Sequence, residues 1–304
     1  MTTTRELIGL GADRLRAAGC ETPRLDAELL LAHAIGVERT TVVAHGDAPV
    51  GPGAEGTYLG WIGRREAGEP VAYIRGFKEF HGIALAVDAR ALIPRPESEA
   101  LVDLALVAVM ARLTEAPVDA LPGIPRVRLI DVGTGSGAIA VALAVTLRKR
   151  GVPPPDVAIV AADVSDAALG LARENVAGHG VGDRIEIVAA DLLPPWSRSR
   201  PWDVVVANLP YVRTDALAAL PAPTTFEPRL ALDGGPDGLR VIARLLDSLA
   251  TTLSPTGLTL LEIGADQGTS IGVLVGERLP GWSCAVQADL SGLPRVAILR
   301  RTGS

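Results

Sequence analysis

The sequence predicts an α/β protein: a doubly wound, mostly parallel sheet of seven strands, with a small N-terminal helical domain joined to it by a β-hairpin. Three observations predict this. From Val127 onward strand-like and helix-like segments alternate, the pattern of a parallel sheet covered by helices on both faces. Ahead of residue 70 apolar residues recur at helical spacing. Between Pro70 and Val87 β-favouring residues are punctuated by glycine. A chain of 304 residues, 48% hydrophobic, is long enough for a large core with a smaller one attached, and we divide it as 1–69, 70–90 and 91–304.

In the first domain Leu25, Leu29 and Ala32 share one helical face, with Glu28 beside them. The linker should form short strands from Val71, Tyr73, Ile74 and Phe77 and then from Phe80, Ile83, Leu85 and Val87, with Gly76 and Gly82 as turn points. A helix is expected over 97–113, with Ser98 or its neighbours available for capping, followed by a Pro- and Ala-rich loop to Pro125. The seven strands are expected at 127–132, 157–163, 185–190, 203–207, 258–263, 283–288 and 295–300. The link between the last two is too short for a crossover helix, so they should pair antiparallel. A parallel sheet ending in one antiparallel hairpin resembles the class I (Rossmann-like) methyltransferase fold.

Composition narrows the function classes. A formal net charge of -6 argues against coating nucleic acid, whose binding draws on Lys and Arg neutralising phosphates. The basic run Arg148-Lys149-Arg150 reads as a solvated helix end. Cys20 and Cys284 lie far apart without Cys-x-x-Cys spacing or a neighbouring His, so neither a disulfide framework nor a zinc site is indicated. The start Met1-Thr2-Thr3-Thr4-Arg5-Glu6 lacks a basic cluster followed by a long apolar run, so no secretory leader is expected, and the most apolar stretch, 101–110, is far short of the roughly 20 residues a spanning helix needs. A cytoplasmic protein without membrane partners is the expectation.

The first sheet strand runs into Gly133-Thr134-Gly135-Ser136-Gly137 and then a helix start. Such glycines let the backbone approach a ligand closely, and the helix N-terminus supplies free amide donors suited to a carboxylate. The spacing departs by one residue from the dinucleotide fingerprint G-x-G-x-x-G. Asp163, at the end of the second sheet strand, is placed to accept from a ribose hydroxyl pair; it could instead cap the following helix, a role Ser165 and Asp166 could equally fill. At the third strand end Asp191 and Leu192 could hold an adenine amino group and its ring face, or form an ordinary loop. Three such strand ends would line one edge of the sheet, where these folds place ligands.

The fourth strand end carries Asn208-Leu209-Pro210-Tyr211. Alone it would read as a turn punctuated by Asn and Pro. Facing the same cleft, it suits a planar amide or amine nitrogen. The Asn208 oxygen and the Leu209 carbonyl, the latter held extended by Pro210, would accept from two N–H bonds, while Tyr211 lays its ring over the plane. Acceptors of this kind bind nitrogen more strongly as it gains positive charge, which is the condition for raising a rate.

Together these residues resemble the HemK/PrmC family of glutamine N5-methyltransferases acting on peptide chain release factors. Further matches are Thr22-Pro23-Arg24-Leu25-Asp26-Ala27-Glu28, Pro70-Val71-Ala72-Tyr73-Ile74, Ile93-Pro94-Arg95-Pro96-Glu97, Phe226-Glu227-Pro228-Arg229 and Leu261-Glu262-Ile263-Gly264. The family motif is usually Asn-Pro-Pro-Tyr, so Leu209 departs from it while keeping the backbone carbonyl. The resemblance implies S-adenosylmethionine as cofactor, held by Gly133 to Gly137, Asp163, Leu192 and Asn208. It further implies that Asn208 to Tyr211 hold the glutamine amide of a Gly-Gly-Gln loop, and that the helical domain grips the release factor. The 94–99 segment would lie along the lip of the site, unless Arg95 and Glu97 form a structural ion pair.

Three other readings share the motif: a nucleic-acid adenine N6-methyltransferase, a glutamine methyltransferase acting on a ribosomal protein, and a cofactor-binding regulatory protein. The first would want a basic target-reading domain, which the acidic balance disfavours, so no stable nucleic-acid binding is expected.

Overall fold

A computed structural model describes residues 1–115 and 124–303, so most of the loop expected before Pro125 lies outside the described residues. By contacts the chain forms two compact units, Met1–Lys78 with Leu220–Glu227, and Glu79–Ala219 with Pro228–Ser304.

The first unit is helical: α1 (Thr4–Ala17), α2 (Pro23–Ile35), α3 (Arg39–Ala44), α4 (Pro52–Glu66) and α5 (Val71–Arg75). Thr3 opens α1 through a capping box with Glu6, and Gly36 closes α2 in the left-handed conformation at φ 71°. Its core gathers Leu7, Leu15, Leu30, Leu31, Tyr58 and Ile62, each such aliphatic side chain worth about 1.5–3 kcal/mol on burial. The buried face of α2 is therefore Ala27, Leu30, Leu31 and Ala32, whereas Leu25 is exposed. Leu29-Leu30-Leu31 is apolar at successive positions, so spacing alone could not choose the face. Glu28 is buried and paired with Arg24 and Arg39. The excursion Leu220–Glu227 completes this unit, with Phe226 and Ala222 packed near Gly68.

The segment read as the first strand of the linker is helical instead. Pro70 caps α5 at its start and Gly76, at φ 77°, ends it, and this single turn buries both Tyr73 and Ile74. The hairpin is shorter: β1 (Phe77–Phe80) and β2 (Ile83–Ala86).

Next come a 3-10 turn at Pro96–Ser98, α6 (Glu99–Glu115), β3 (Val127–Val132), α7 (Ala138–Lys149), β4 (Val157–Asp163), α8 (Asp166–Gly178), β5 (Ile185–Ala189), β6 (Trp202–Ala207), the short β7 (Val212–Arg213) and β8 (Asp233–Gly235), α9 (Arg240–Thr252), β9 (Leu253–Glu262), α10 (Gly268–Arg278), β10 (Trp282–Ala288) and β11 (Pro294–Arg301). The expected sheet is present, in the order β10-β11-β9-β6-β3-β4-β5, with β11 antiparallel to both neighbours and the other pairs parallel. Alternate residues feed opposite cores: Leu129 faces α6 and α7, while Ile130 faces α9 and α10. β9 begins earlier than the expected 258 because 254–257 form a bulge opposite Trp202–Val204. No helix among the described residues is long and apolar enough to cross a membrane.

This order places the chain's reversal at β3, flanked by β4 on one side and β6 on the other. The carboxyl ends of β3 and β6 thus open a crevice at the topological switch point.

Candidate active site

The glycine turn grows out of β3. The amides of Gly133 and Thr134 donate to the Ala162 carbonyl at 2.8 and 2.9 Å, which ties the turn to β4. Gly133, Gly135 and Gly137 have φ of 71°, 57° and 79°. A Cβ on Gly133 would sit 3.0 Å from Leu209 Cδ2, and one on Gly137 would sit 3.2 Å from the Ala172 Cβ. Only glycine satisfies both demands. Beneath the turn Asp131 is buried, its Oδ2 accepting from Thr134 Oγ1 at 2.6 Å and from the Ala140 amide at 3.2 Å. Burial pushes its carboxyl up to about 7, against the pull of those two donors.

Asp163 meets the turn from β4. Its Oδ2 accepts from the Gly135 amide at 2.8 Å and its Oδ1 from the Ser165 amide at 2.9 Å. The helix cap is Ser165, whose side chain accepts from Ala168, so Asp163 stays at the cleft. Beyond β5, Asp191 pairs with Arg244 at 2.6 Å, and Leu192 takes a left-handed φ of 66°.

All of the site residues expected from the sequence line one cavity of about 470 Å³ except Gly137 and Tyr211. Gly137 lies under α7 as its N-cap. Arg95 and Ser98 also line the cavity, which puts the 94–99 segment at the site, while Glu97 is exposed.

The Asn208 segment is held by groups the sequence reading passed over. Asn208 Nδ2 donates to Ser98 Oγ at 3.0 Å, and Ser98 Oγ donates to Glu262 Oε2 at 2.5 Å. Ser98 is therefore committed to the site instead of capping α6. The other oxygen of Glu262 accepts from the Tyr211 hydroxyl at 3.2 Å, which accounts for the Tyr211 ring standing outside the cavity lining. Burial pushes the Glu262 carboxyl up from the ordinary range and the Tyr211 phenol up with it. Gln267 Nε2 donates to the Tyr211 carbonyl at 3.1 Å while its Oε1 accepts from Gly264. A Cβ on Gly234 would sit 2.7 Å from the Pro210 carbonyl, so backbone packs directly on backbone there. The side chain of Leu209 points into the core with α9 and α10, 4% exposed. Its carbonyl accepts no hydrogen bond among the described residues.

Register explains the convergence. Ala207 pairs with Leu261, so Asn208 and Glu262 leave their parallel strands side by side. The available signal for Glu262 was a lone acid ending an apolar strand, and for Ser98 its place in the 94–99 segment.

Residues 6–76 match the PrmC N-terminal domain family, and residues 108–221 match the methyltransferase small domain family. The release factor glutamine methyltransferase of Moorella thermoacetica is 41% identical over 269 residues, covering 88% of each chain. That of Deinococcus radiodurans is 36% identical over 299 residues, covering 98% of this chain and 99% of the relative. Among solved structures, the hMettl16 catalytic domain in complex with MAT2A 3'UTR hairpin 1 superposes with a TM-score of 0.53 at 17% identity, covering 81% of this chain and 80% of that one, a likeness of fold.

Proposed function

Because the chain belongs to the family of release factor glutamine methyltransferases, we propose that it uses S-adenosylmethionine to methylate the N5 side-chain nitrogen of the Gly-Gly-Gln glutamine of a release factor, with Asn208 to Tyr211 as its catalytic segment. Catalysis of protein-glutamine methylation is the property of the family. The single observation that carries it is the pair of uncommitted acceptors at the end of β6. The Asn208 side-chain oxygen and the Leu209 carbonyl have no donor among the described residues, and both residues line the cavity that the glycine turn opens.

The donor set fits the cofactor. The amides of Ser136, Ala138 and Ile139 donate to no acceptor among the described residues and would take its carboxylate. Asp163 would accept from the ribose hydroxyls, and Leu192 with Asp191 would bound the adenine. The cavity is of the size that small-molecule sites occupy, about 300–1,000 Å³. When bound, the cofactor supplies an electrophilic methyl group on a sulfonium.

The chain's own part is orientation. An amide nitrogen is a poor nucleophile because its lone pair is delocalised into the carbonyl. Asn208 Oδ1 and the Leu209 carbonyl, accepting from its two N–H bonds, hold that lone pair towards the methyl group. They bind more strongly as the nitrogen becomes cationic. The methylated nitrogen then loses a proton to water, so no protein base is required. The helical first unit is assigned to gripping the release factor, and the cytoplasm is where we place the reaction.

The test is to incubate the protein with labelled S-adenosylmethionine and, separately, purified release factor, ribosomal protein or DNA. Label on the release-factor glutamine is expected; label on nucleic-acid adenine alone, or on ribosomal protein alone, overturns the reading. Asn208→Ala should lower kcat by roughly 100-fold or more while cofactor affinity changes far less, since an interaction strongest in the transition state is removed.

A further inference from the structure

We propose that Glu262 is a positioning residue that sets the direction of the hydrogen-bond chain Asn208–Ser98–Glu262, and so aims the oxygen, not the nitrogen, of the Asn208 amide at the substrate. This rests on the role given to Asn208 above.

The two ends of an asparagine amide are nearly the same shape and opposite in polarity. Only the oxygen can accept from a substrate N–H; a flipped amide would point its own N–H bonds at those of the substrate. Something must choose between them. Asn208 touches Ser98, but a hydroxyl donates and accepts with equal ease and cannot choose alone.

The choice is made one residue further on. An ionised carboxylate accepts only, so the Ser98 hydroxyl hydrogen is committed to Glu262 Oε2 at 2.5 Å. The Ser98 lone pair is then left to accept from Asn208 Nδ2 at 3.0 Å. The amide nitrogen faces Ser98 and the oxygen is turned the other way. Glu262 Oε1 is occupied by the Tyr211 hydroxyl at 3.2 Å, so the carboxylate receives donors on both sides. Ser98 and Glu262 are 3% and 1% exposed, which leaves bulk water little means of substituting for either link. One carboxylate thereby fixes both ends of the four-residue segment without lining the cavity itself.

The chain runs this way only while Glu262 is ionised. A protonated Glu262 can donate to Ser98, whose hydrogen then turns to Asn208 and invites the amide oxygen inward. The groups facing Glu262 are Arg295 on β11, Glu97 in the turn before α6, and Ser98 and Tyr211. Arg295 favours the carboxylate and Glu97 opposes it, while burial is the largest influence and favours the protonated form. The inference therefore includes an acid limb in kcat at a pH above the ordinary glutamate range.

The experiment measures kcat, the KM for each substrate and the pH profile with the full chain and release factor. It compares the unmodified protein with Glu262→Gln, Ser98→Ala, Asn208→Ala and the double variant Ser98→Ala/Asn208→Ala. S-adenosylhomocysteine binding by calorimetry and thermal melting confirm that each variant folds. Glu262→Gln, whose amide can donate to Ser98, should lower kcat roughly 10- to 100-fold, the usual cost of losing a partner that orients a contacting group. It should also abolish the acid limb, with cofactor binding little changed. Ser98→Ala should lower kcat to a similar degree and add nothing in the Asn208→Ala background, because its effect runs through Asn208. This small change keeps the question answerable if Glu262→Gln fails to fold. A wild-type rate and profile in Glu262→Gln would overturn the inference alone. So would a Ser98→Ala penalty that persists in full without Asn208. A wild-type rate in Asn208→Ala would overturn the functional reading and this inference with it.

Discussion

Asp131 is a carboxylic acid almost wholly withdrawn from water. It lies under the glycine turn with one oxygen that has no partner among the described residues, and burial pushes its carboxyl up to about 7. That value lies above the roughly 3.9 of an unfolded aspartate, so the stability it contributes is present in full below about pH 4 and is lost as the pH rises through 7. Asp131→Asn should therefore gain in melting temperature relative to the native protein as the pH is raised from 5 to 8. A difference that stays constant with pH would rule this out. At the same scale, the sequence made Asn208, Asp163 and the glycines legible, because their types announce turns, acceptors and close backbone approach. Ser98, Glu262 and Gln267 were not legible as site residues. Their contribution depends on a register between β6 and β9 that two short apolar runs do not reveal, and a serine before a helix is the ordinary sign of a cap.

Among the elements, the turn between β3 and α7 sets left-handed glycines at 133, 135 and 137. Gly133→Ala would place a side chain at φ 71° with its Cβ 3.0 Å from Leu209 Cδ2, a cost of about 1–2 kcal/mol for the backbone before Leu209 shifts. Weaker S-adenosylhomocysteine binding is expected by calorimetry. Gly151→Ala is the control, since it has φ 74° but open space around it, and it should lose stability while leaving binding intact. Equal loss of binding in both would mean the contact with Leu209 is immaterial. Apart from the start of β9, the sheet strands were legible nearly residue by residue because most are short apolar runs closed by glycine, proline or an acid. The helix α5 was not: Val71, Tyr73 and Ile74 favour strands intrinsically, but Pro70 and Gly76 bracket a single helical turn that buries two of them. The bulge at the start of β9 was hidden for the same reason, its Pro255 and Gly257 being the residues of a turn.

For the whole molecule, the proposed division of labour between the two units can be tested. Every residue lining the cavity belongs to Glu79–Ala219 or Pro228–Ser304, so a chain lacking residues 1–78 should still bind S-adenosylhomocysteine while methylating release factor poorly. Loss of cofactor binding in a truncated chain that melts cooperatively would show that the cavity is not self-sufficient. The excursion Leu220–Glu227 has a further consequence, for biosynthesis. During translation the five N-terminal helices leave the ribosome early, yet the piece that finishes their unit follows only after β6 and the Asn208 segment have been made. The first unit is begun first and completed late, with contacts such as Gly68 to Phe226 closing a very long loop. A ribosome stalled before residue 220 would thus display an N-terminal unit still missing its last segment, and the enzyme's assembly is governed by the order in which its chain is spoken as well as by its contacts.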